Sequence, residues 1–191
     1  MVAWGLRVLI TGAARRIGFT ISSRFVKEGA RVAVVDLERD QASRAVQRLD
    51  TSAVEVALDV MQKILIVNAL DRRSKDLVPP DLLVNNAAAI KLKGNFVDLD
   101  TGAQNASIAV NFTSALPVSR VVILIMRSGS GSAIINIAST LGKLAVENAS
   151  AYRASKGGLL QLSRAMPCHW TTPKTAQGST QFHWGRSETK S

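Results

Sequence analysis

The chain has 191 residues but a single cysteine, few aromatic residues and no long hydrophobic run. One cysteine, Cys168, excludes an internal disulfide framework and agrees with a reducing compartment. The longest aliphatic stretch near the middle, Val121–Met126, is far shorter than the roughly 20 apolar residues that cross a bilayer. The N-terminal residues show no pattern of a secretory signal. We therefore expect a cytoplasmic protein without a membrane partner.

Acidic residues are also scarce. The chain has 24 Lys and Arg but only 14 Asp and Glu, so its formal net charge is +10. A nucleic-acid-binding protein is one interpretation of this excess. However, the basic residues are scattered, and aromatic residues make up only 5% of the chain, which is poor for base stacking. A diffusely basic surface without a nucleic-acid partner is favoured, and part of its charge would serve an anionic cofactor.

Short apolar segments alternate with segments of helical periodicity throughout most of the chain. The predicted strands are nearly continuous apolar runs, which is typical of strands buried on both faces of a parallel sheet. We therefore predict an α/β fold in three layers, a doubly wound parallel sheet between helices. Pro117 predicts a kink or break in the fourth helix. The predicted strands are Leu6–Thr11, Arg31–Asp36, Ala53–Leu58, Asp81–Asn86 and Ser132–Ala138, and the predicted helices cover 15–28, 38–49, about 60–76, 102–126 and 150–165.

The composition changes sharply near residue 167. Residues 167–191 have no helical or strand period and are rich in Thr, Ser, Gln, Lys and Gly. We therefore predict one domain over residues 1–166 and a divergent, poorly ordered tail over residues 167–191. Cys168 and His169 lie in this tail, but two ligands without a second pair are weak support for a metal, so no metal site is predicted.

The segment Thr11–Gly18 lies between the first predicted strand and the first predicted helix. Small residues here let the backbone turn tightly and approach a pyrophosphate, while the helix N-terminus offers unpaired N–H groups. Asp36 ends the next strand, where a carboxylate can accept hydrogen bonds from adenosine ribose hydroxyls. Together these residues indicate a dinucleotide site, and the alternative is an ordinary turn beside a solvated Asp.

A second group of polar residues, Ser139, Tyr152 and Lys156, follows the last predicted strand. Ser139 lies at the carboxyl edge of the sheet, where open α/β sheets bind ligands. Tyr152 and Lys156 are four residues apart on a helix and so share one face. A neighbouring ammonium favours the phenolate form of a tyrosine, and Ser139 can hold a substrate oxygen. The trio could interconvert an alcohol and a carbonyl, although a Tyr-x-x-x-Lys pair alone is common by chance.

With these motifs, the chain resembles the classical short-chain dehydrogenases/reductases from about Leu6 to Ala165. The order and spacing of the motifs agree with that family, and the resemblance implies a Rossmann-like fold. Beyond the segments above, the resemblance rests on Asp59-Val60, on Asn85-Asn86-Ala87-Ala88 and on Asn111.

This resemblance implies a role for each matched residue. Tyr152 would be the catalytic acid/base, Lys156 would bind the nicotinamide ribose and favour the ionised tyrosine, and Ser139 would orient the substrate carbonyl. Asn111 would hold a water that links Lys156 to solvent. Asp59 and Val60 would line the adenine pocket. The implied cofactor-binding residues are Gly12, Arg15, Arg16, Ile17, Gly18, Asp36, Asp59, Val60, Asn86, Ala87, Ala88, Tyr152 and Lys156.

Two departures from the family pattern bear on the cofactor. Arg16 stands where the motif has its middle glycine, and Ala88 stands where the Asn-Asn-Ala-Gly motif has its last glycine. Arg15 and Arg16 could pair with the 2′-phosphate of NADP. Asp36 would repel that phosphate and accept hydrogen bonds from a free 2′-hydroxyl, so NAD is favoured and NADP is the alternative.

The resemblance ends near Ala165, and the family's later strand, substrate loop and subunit interface are not recognisable beyond it. We therefore expect an early end or a shifted reading frame, with the fifth strand left as an exposed edge and the sheet incomplete there. The leading hypothesis is an NAD(P)-dependent oxidoreductase acting on a small secondary alcohol or ketone. The alternative is a truncated remnant that binds the cofactor but is inactive. A homo-oligomer is expected for the family, but its usual interface would be incomplete.

Overall fold

The computed structural model describes residues 3–62, 79–89, 95–126, 132–144, 147–170 and 178–182. The strands are β1 Arg7–Thr11, β2 Arg31–Asp36, β3 Ala53–Ala57, β4 Leu82–Asn85, β5 Ala133–Ile137 and β6 Gly178–Phe182. They form one sheet in the order β3-β2-β1-β4-β5-β6, and every pair of neighbours is parallel. The predicted parallel α/β fold is confirmed. The predicted third helix falls mainly on residues 63–78, outside the described residues.

The described helices cover both faces of this sheet. They are α1 Arg16–Lys27, α2 Arg39–Leu49, α3 Thr101–Ile108, α4 Ala115–Met126 and α5 Ser150–Trp170. Ile10 and Val34 pack in one core cluster with residues of α1 and α2, while Leu9 and Val35 pack in a second cluster with residues of α4. Successive strand residues point to opposite faces, so apolar residues at consecutive positions bury both sides. This arrangement explains the nearly continuous apolar runs.

An irregular segment precedes Pro117, which itself lies in the first turn of α4. A π-helical turn, Ala109–Thr113, separates α3 from α4. Proline has no N–H to donate, so the carbonyl of Thr113, four residues earlier, cannot accept the regular helical bond from residue 117. The Ser114 N–H instead donates to the Ala109 carbonyl at 2.9 Å, one residue further back than in an α-helix.

The helical run Thr101–Met126 has 26 residues and is long and apolar enough to cross a membrane, by length and composition alone. The core helix of a globular domain passes the same test. Val118, Val122 and Met126 are buried against Leu83 and Ile134 of the sheet, as expected of a core helix. The absence of a membrane partner stays a prediction.

The segment beyond residue 166 differs from expectation. Helix α5 continues to Trp170, and β6 pairs with β5 through the register Ala133 to Gly178 and Ile137 to Phe182. The expectation that the fifth strand forms the exposed edge is therefore corrected. Strand pairing uses backbone groups that every non-proline residue carries, so it needs no apolar period in the sequence. The division into residues 1–166 and 167–191 stays a prediction.

Candidate functional site

The turn between β1 and α1 has no room for a side chain at either of two glycines, Gly12 and Gly18. Gly12 has a φ of +61°, and a Cβ there would lie 2.8 Å from the Ala87 Cα. A Cβ on Gly18 would lie 2.2 Å from the Gly12 carbonyl oxygen. Real Cβ atoms do not approach so closely, so both positions require glycine. The backbone thereby forms the kind of cradle that admits a pyrophosphate, and a dinucleotide fits this part of the site.

Asn86 clamps this turn from the end of β4. Its Nδ2 donates to the carbonyls of Thr11 at 3.0 Å and Gly12 at 2.9 Å. The Thr11 hydroxyl in turn accepts from the backbone N–H groups of Asn86 at 3.0 Å and Ala87 at 3.1 Å. Ala87 is half-buried and Ala88 is exposed. Sequence reasoning placed Thr11 in the turn motif but did not count it among the cofactor-binding residues, and its hydroxyl directly before the glycine was a usable signal.

Asp36 reaches back from the end of β2 to the same turn. Its Oδ2 accepts from the Ala14 N–H at 3.0 Å, and the residue is only 8% exposed. The backbone carbonyl of Asp36 accepts from the Leu58 N–H at 2.9 Å, which brings the half-buried Asp59 and Val60 to the same edge of the sheet. Asp36, which is predicted to bind the ribose, therefore already uses one carboxylate oxygen to stabilise the turn.

The two arginines of the turn have different backbone conformations. Arg15 is extended and precedes α1, whereas Arg16 begins α1 with a φ of +48°. That φ lies in the left-handed region, which costs an L-residue about 1–2 kcal/mol and glycine nothing. The backbone conformation thus explains why the resembled motif has glycine at this position. The side chains of Arg15, Arg16 and Ile17 are all exposed.

Lys156 is buried beneath the carboxyl end of β5. It is 2% exposed, and its Nζ donates to the Ile137 carbonyl at 2.7 Å. Removal of the ammonium from water lowers the pKa of Lys156 from 10.5 to about 8. The lysine therefore carries a readily lost proton, and Tyr152 lies half-buried one turn earlier on α5.

Ser139 is held against α5 by the turn that follows it. The Ser139 Oγ accepts from the Leu141 N–H at 3.2 Å and begins a 3₁₀ turn, Thr140–Gly142. A Cβ on Gly142 would lie 2.9 Å from both the Lys156 carbonyl carbon and the Gly157 nitrogen. Only a residue without a side chain allows this approach, which brings the Ser139 turn beside the lysine. Sequence reasoning did not identify Gly142.

Asn111 lies in the π-helical turn and is 2% exposed. Its Oδ1 accepts from the Ala89 N–H at 2.6 Å, and its Nδ2 donates to the Ser155 Oγ at 3.3 Å. The Ser155 hydroxyl donates to the Tyr152 carbonyl at 2.7 Å. These bonds join the segment after β4 to the first turns of α5. Asn111 is therefore linked through Ser155 to Tyr152 and to Lys156, the residue next to Ser155. Gly142 brings the fourth predicted catalytic residue, Ser139, close to this group.

A buried polar network beneath this edge was not predicted. The Asn85 Nδ2 donates to Asn136 Oδ1 at 2.8 Å and to Ser119 Oγ at 3.0 Å. The Asn136 Nδ2 donates to Ser163 Oγ at 2.8 Å. Asn136 is fully buried. The network joins β4, β5, α4 and α5, and it fixes the strand that carries Ser139 relative to the helix that carries Tyr152.

Substitution of Lys156 by Met is expected to stabilise the protein without cofactor by about 1–2 kcal/mol near pH 7. The folded state must bury an ammonium whose pKa is about 8, whereas the unfolded chain keeps the ordinary value of 10.5. Between these values the unfolded state binds more protons, so the stability of the unmodified protein rises with pH. The gap between the two proteins should be widest below pH 8 and shrink towards pH 10.5.

Urea unfolding at several pH values, followed by tryptophan fluorescence, measures this gap. The matched control is Lys27→Met, because Lys27 is exposed in the last turn of α1. The control should show no pH-dependent gap. A Lys156→Met gap that stays constant from pH 7 to pH 10.5 would contradict the assigned burial cost.

Substitution of Gly142 by Ala is expected to lower kcat by about tenfold or more, because displacement of a positioning group by about 1 Å can cost 10²-fold. The new methyl group would meet backbone atoms of Lys156 and Gly157, which cannot rotate away. Affinity for adenosine diphosphate, which carries only the adenosine part of the dinucleotide, should change little, since the cradle at Gly12 is untouched. Steady-state kinetics and equilibrium binding separate the two effects. Lys143→Ala, at the next and exposed position, should leave kcat unchanged, and equal losses in both variants would argue against the role of Gly142.

No group of three or more His, Cys, Asp or Glu residues suited to a metal ion lies in the part of the chain that the structure describes. The side chains of Cys168 and His169 fall outside it. The prediction of no metal site is therefore neither supported nor contradicted.

Comparison with known proteins gives a match to the family model described as short chain dehydrogenase, over residues 7–174. The match extends beyond residue 165, where the sequence resemblance was expected to end. The chain is 34% identical over 165 residues to 5-keto-D-gluconate 5-reductase of Escherichia coli (strain K12). That alignment covers 85% of this chain and 65% of the relative, so the chain spans about two thirds of the relative's length.

Solved structures give the same result. Serine dehydrogenase from Escherichia coli superposes with a TM-score of 0.85 at 25% identity, over 91% of this chain and 80% of that protein. A 3-ketoacyl-(acyl-carrier-protein) reductase from Brucella melitensis, complexed with NADH, superposes with a TM-score of 0.82 at 26% identity. This superposition covers 87% of this chain and 70% of the reductase.

Proposed function

Because this chain belongs to the short-chain dehydrogenase family, we propose that it is an NAD(P)-dependent oxidoreductase that interconverts a secondary alcohol and a ketone. The observation that carries the proposal is the approach of the Ser139 turn to the backbone of Lys156, on the helix that also bears Tyr152. Three groups thus lie at the edge of the sheet that also holds the glycine turn: the hydroxyl of Ser139, the phenol of Tyr152 and the buried ammonium of Lys156.

The protein side of the reaction is a proton transfer. In the reducing direction, the Tyr152 hydroxyl donates its proton to the substrate carbonyl oxygen as the carbonyl carbon becomes tetrahedral. Ser139 donates a hydrogen bond to the same oxygen and stabilises the charge that develops there. A bound nicotinamide dinucleotide supplies the hydride in this direction and accepts it in the reverse direction. In the oxidising direction, the ionised Tyr152 accepts the alcohol proton.

Lys156 has two functions in this proposal. Its ammonium stabilises the phenolate of Tyr152 and would hold the nicotinamide ribose. Because burial lowers the pKa of Lys156 to about 8, the group is mostly protonated at pH 7 yet can release a proton near that pH. In the structure its Nζ donates one hydrogen bond to the Ile137 carbonyl, and an ammonium has two further N–H groups that could donate to a ribose. Asn111 would hold the water that connects Lys156 to solvent.

The proposed cofactor is NAD, with NADP as the alternative. Gly12 and Gly18 would admit the pyrophosphate, while Asn86, Ala87 and Ala88 would lie along the adenosine ribose and the central sheet. Asp59 and Val60 would line the adenine pocket. Asp36 Oδ2 accepts from the Ala14 N–H, and the other carboxylate oxygen would accept from a 2′-hydroxyl. Arg15 and Arg16 are exposed beside the turn and support the NADP alternative, and the reductase from Brucella melitensis was solved with NADH.

The remaining expectations concern the protein's surroundings. A small carbonyl or alcohol is proposed as substrate, and a homo-oligomer is expected as for the family. Cytoplasmic location and the absence of nucleic-acid and membrane partners stay predictions from the sequence. The relative that reduces a keto-gluconate supports a polyhydroxylated substrate class, but the chain spans only 65% of that relative.

Titration of the full chain with NADH and NADPH, followed by nucleotide fluorescence, tests the cofactor part of the proposal. Turnover of a panel of ketones then tests the chemistry. Dinucleotide binding without turnover of any ketone would favour the alternative of an inactive remnant. The absence of binding to either dinucleotide would exclude both hypotheses and return the basic surface to consideration as a nucleic-acid site.

A further inference from the structure

A hydrogen bond joins helix α5 to the far end of the segment that begins at Ser139. The Arg153 Nε donates to the Leu144 carbonyl oxygen at 2.9 Å. Arg153 directly follows Tyr152 and is half-buried, whereas Leu144 is 57% exposed. The bond therefore connects the helix that carries the phenol to the segment that carries the Ser139 hydroxyl.

Hydrogen bonds within the segment tie its two ends together. The Leu144 N–H donates to the Thr140 carbonyl at 3.0 Å, and the Gly142 N–H donates to the Ser139 carbonyl at 3.0 Å. The Leu141 N–H donates to the Ser139 Oγ itself at 3.2 Å. Because these bonds overlap along the chain, the segment moves as a unit. A contact that fixes Leu144 therefore also restricts the position of Ser139.

Arg153 lies on the side of α5 that faces this segment. It precedes Gly157 by four residues, so the two positions share one face of the helix. A Cβ on Gly157 would lie 3.3 Å from the Gly142 carbonyl oxygen, so the segment passes close to the helix at that point. Gly157 thus permits a close approach, and Arg153, one turn earlier, adds a directed bond. Two separate contacts with one helix restrict a rotation of the segment that a single contact would allow.

We propose that Arg153 is a positioning residue, whose hydrogen bond to Leu144 holds the Ser139 hydroxyl in its place relative to Tyr152. This role rests on the proposed function, in which both groups address the same substrate oxygen. Arg153 occupies an unassigned position within the Tyr-x-x-x-Lys pair, and it acts only through the segment. The contact depends on how the nine residues between Leu144 and Arg153 fold.

Two substitutions separate the hydrogen bond from the charge of Arg153. Arg153→Met and Arg153→Gln both remove the charge, but the amide nitrogen of Gln takes the place of the arginine Nε along the side chain and can donate to the Leu144 carbonyl. We expect kcat for ketones to fall about five- to tenfold in Arg153→Met, because displacement of a positioned group slows the reaction. In Arg153→Gln most of this loss should be restored. The matched control is Arg164→Met, at an exposed position three turns later on α5, which should keep kcat.

A double-mutant cycle with Ser139→Ala tests whether Arg153 acts through Ser139. In the Ser139→Ala background, Arg153→Met should cause no further loss of kcat, since the hydroxyl that the bond positions is absent. Losses that multiply in the double variant would overturn the proposal. Equal kcat in Arg153→Gln and Arg153→Met would also overturn it, because the charge and not the bond would then be responsible.

Amide hydrogen exchange, followed by mass spectrometry, tests the same contact without turnover. The N–H groups of Gly142 and Leu144 should exchange about fivefold faster in Arg153→Met than in Arg153→Gln, while those of β5 should keep their rates. Equal rates in the two variants would refute the positioning role. If the unmodified chain turns over no ketone, the proposed function fails, and the exchange rates alone then decide whether Arg153 holds the segment.

Discussion

Substitution of Tyr152 by Phe is expected to reduce turnover of ketones by about 10²–10⁴-fold, the range typical of a lost general acid/base. The variant keeps the aromatic ring and removes only the hydroxyl that donates the proton. Tyr152 is the only tyrosine in the chain, so no second phenol can replace it. The measurement is kcat at saturating substrate and dinucleotide, over a range of pH.

The contacts around Tyr152 make this substitution selective. The residue is half-buried in the first turn of α5, and its backbone carbonyl accepts from the Ser155 hydroxyl. Ser155 in turn accepts from Asn111, so the helix start is held by bonds that the phenol does not make. We therefore expect unchanged Tm and dinucleotide affinity in Tyr152→Phe, together with the loss of turnover.

Two results would contradict the assignment. Retention of more than a tenth of the turnover would show that another group supplies the proton. A parallel loss of dinucleotide affinity and turnover would show that Tyr152 serves binding instead of proton transfer. Ser155→Ala is a useful companion, since it disturbs the helix start without touching the phenol and should weaken stability more than chemistry.

Substitution of Gly18 by Ala is expected to weaken dinucleotide binding by about 10²-fold and to destabilise the fold by about 1–3 kcal/mol, as overpacking typically does. The new Cβ would lie 2.2 Å from the Gly12 carbonyl oxygen and 2.6 Å from the Asn86 Nδ2. Those two atoms form a hydrogen bond of 2.9 Å that closes the turn. The methyl group must therefore push the Asn86 side chain away from the Gly12 carbonyl and break this hydrogen bond.

Equilibrium titration with NADH and urea unfolding measure the two parts of this prediction. Gly102→Ala provides the matched control, because Gly102 is exposed in the first turn of α3 and faces only the Asp100 side chain at 3.2 Å. The control should retain NADH binding, and any change in its stability should stay local, because the new methyl group meets only the Asp100 Oδ1 that caps α3. Unchanged NADH affinity in Gly18→Ala would show that the turn is not part of a dinucleotide site.

The general architecture was readable from the sequence because it depends on local patterns. Consecutive apolar residues in most of the predicted strands are typical of strands buried on both faces of a parallel sheet between helices, while β3 at the edge contains Glu55 and is only partly buried. The expectation of a kink or break at Pro117 rests on its missing N–H, whereas the irregular turn lies just before it, at Ala109–Thr113. By contrast, β6 could not be predicted. Its pairing with β5 is made by backbone groups, and the side chains of residues 178–182 do not form the apolar pattern of a buried strand.

The site was readable in part for the same reason. Tyr152 and Lys156 share a helix face by their spacing alone, and the glycines of the first turn follow a strand directly. Gly142 and Asn136 were missed because their importance lies in a close approach and in hydrogen bonds to residues distant in the chain. Asp36 was found, but its bond to the Ala14 N–H was not foreseen.

The sequence by itself determined the family and the layered fold, and it supplied the candidates for proton transfer, because each follows from residue type and short-range spacing. Only the tertiary structure decided that Lys156 is buried with a pKa of about 8, and that Gly142 brings the Ser139 turn against α5. It also decided that Arg15, just before α1, lines one cleft with Arg44 and Arg48 of α2. Burial, close approach and the convergence of charges depend on distances between segments that the sequence separates.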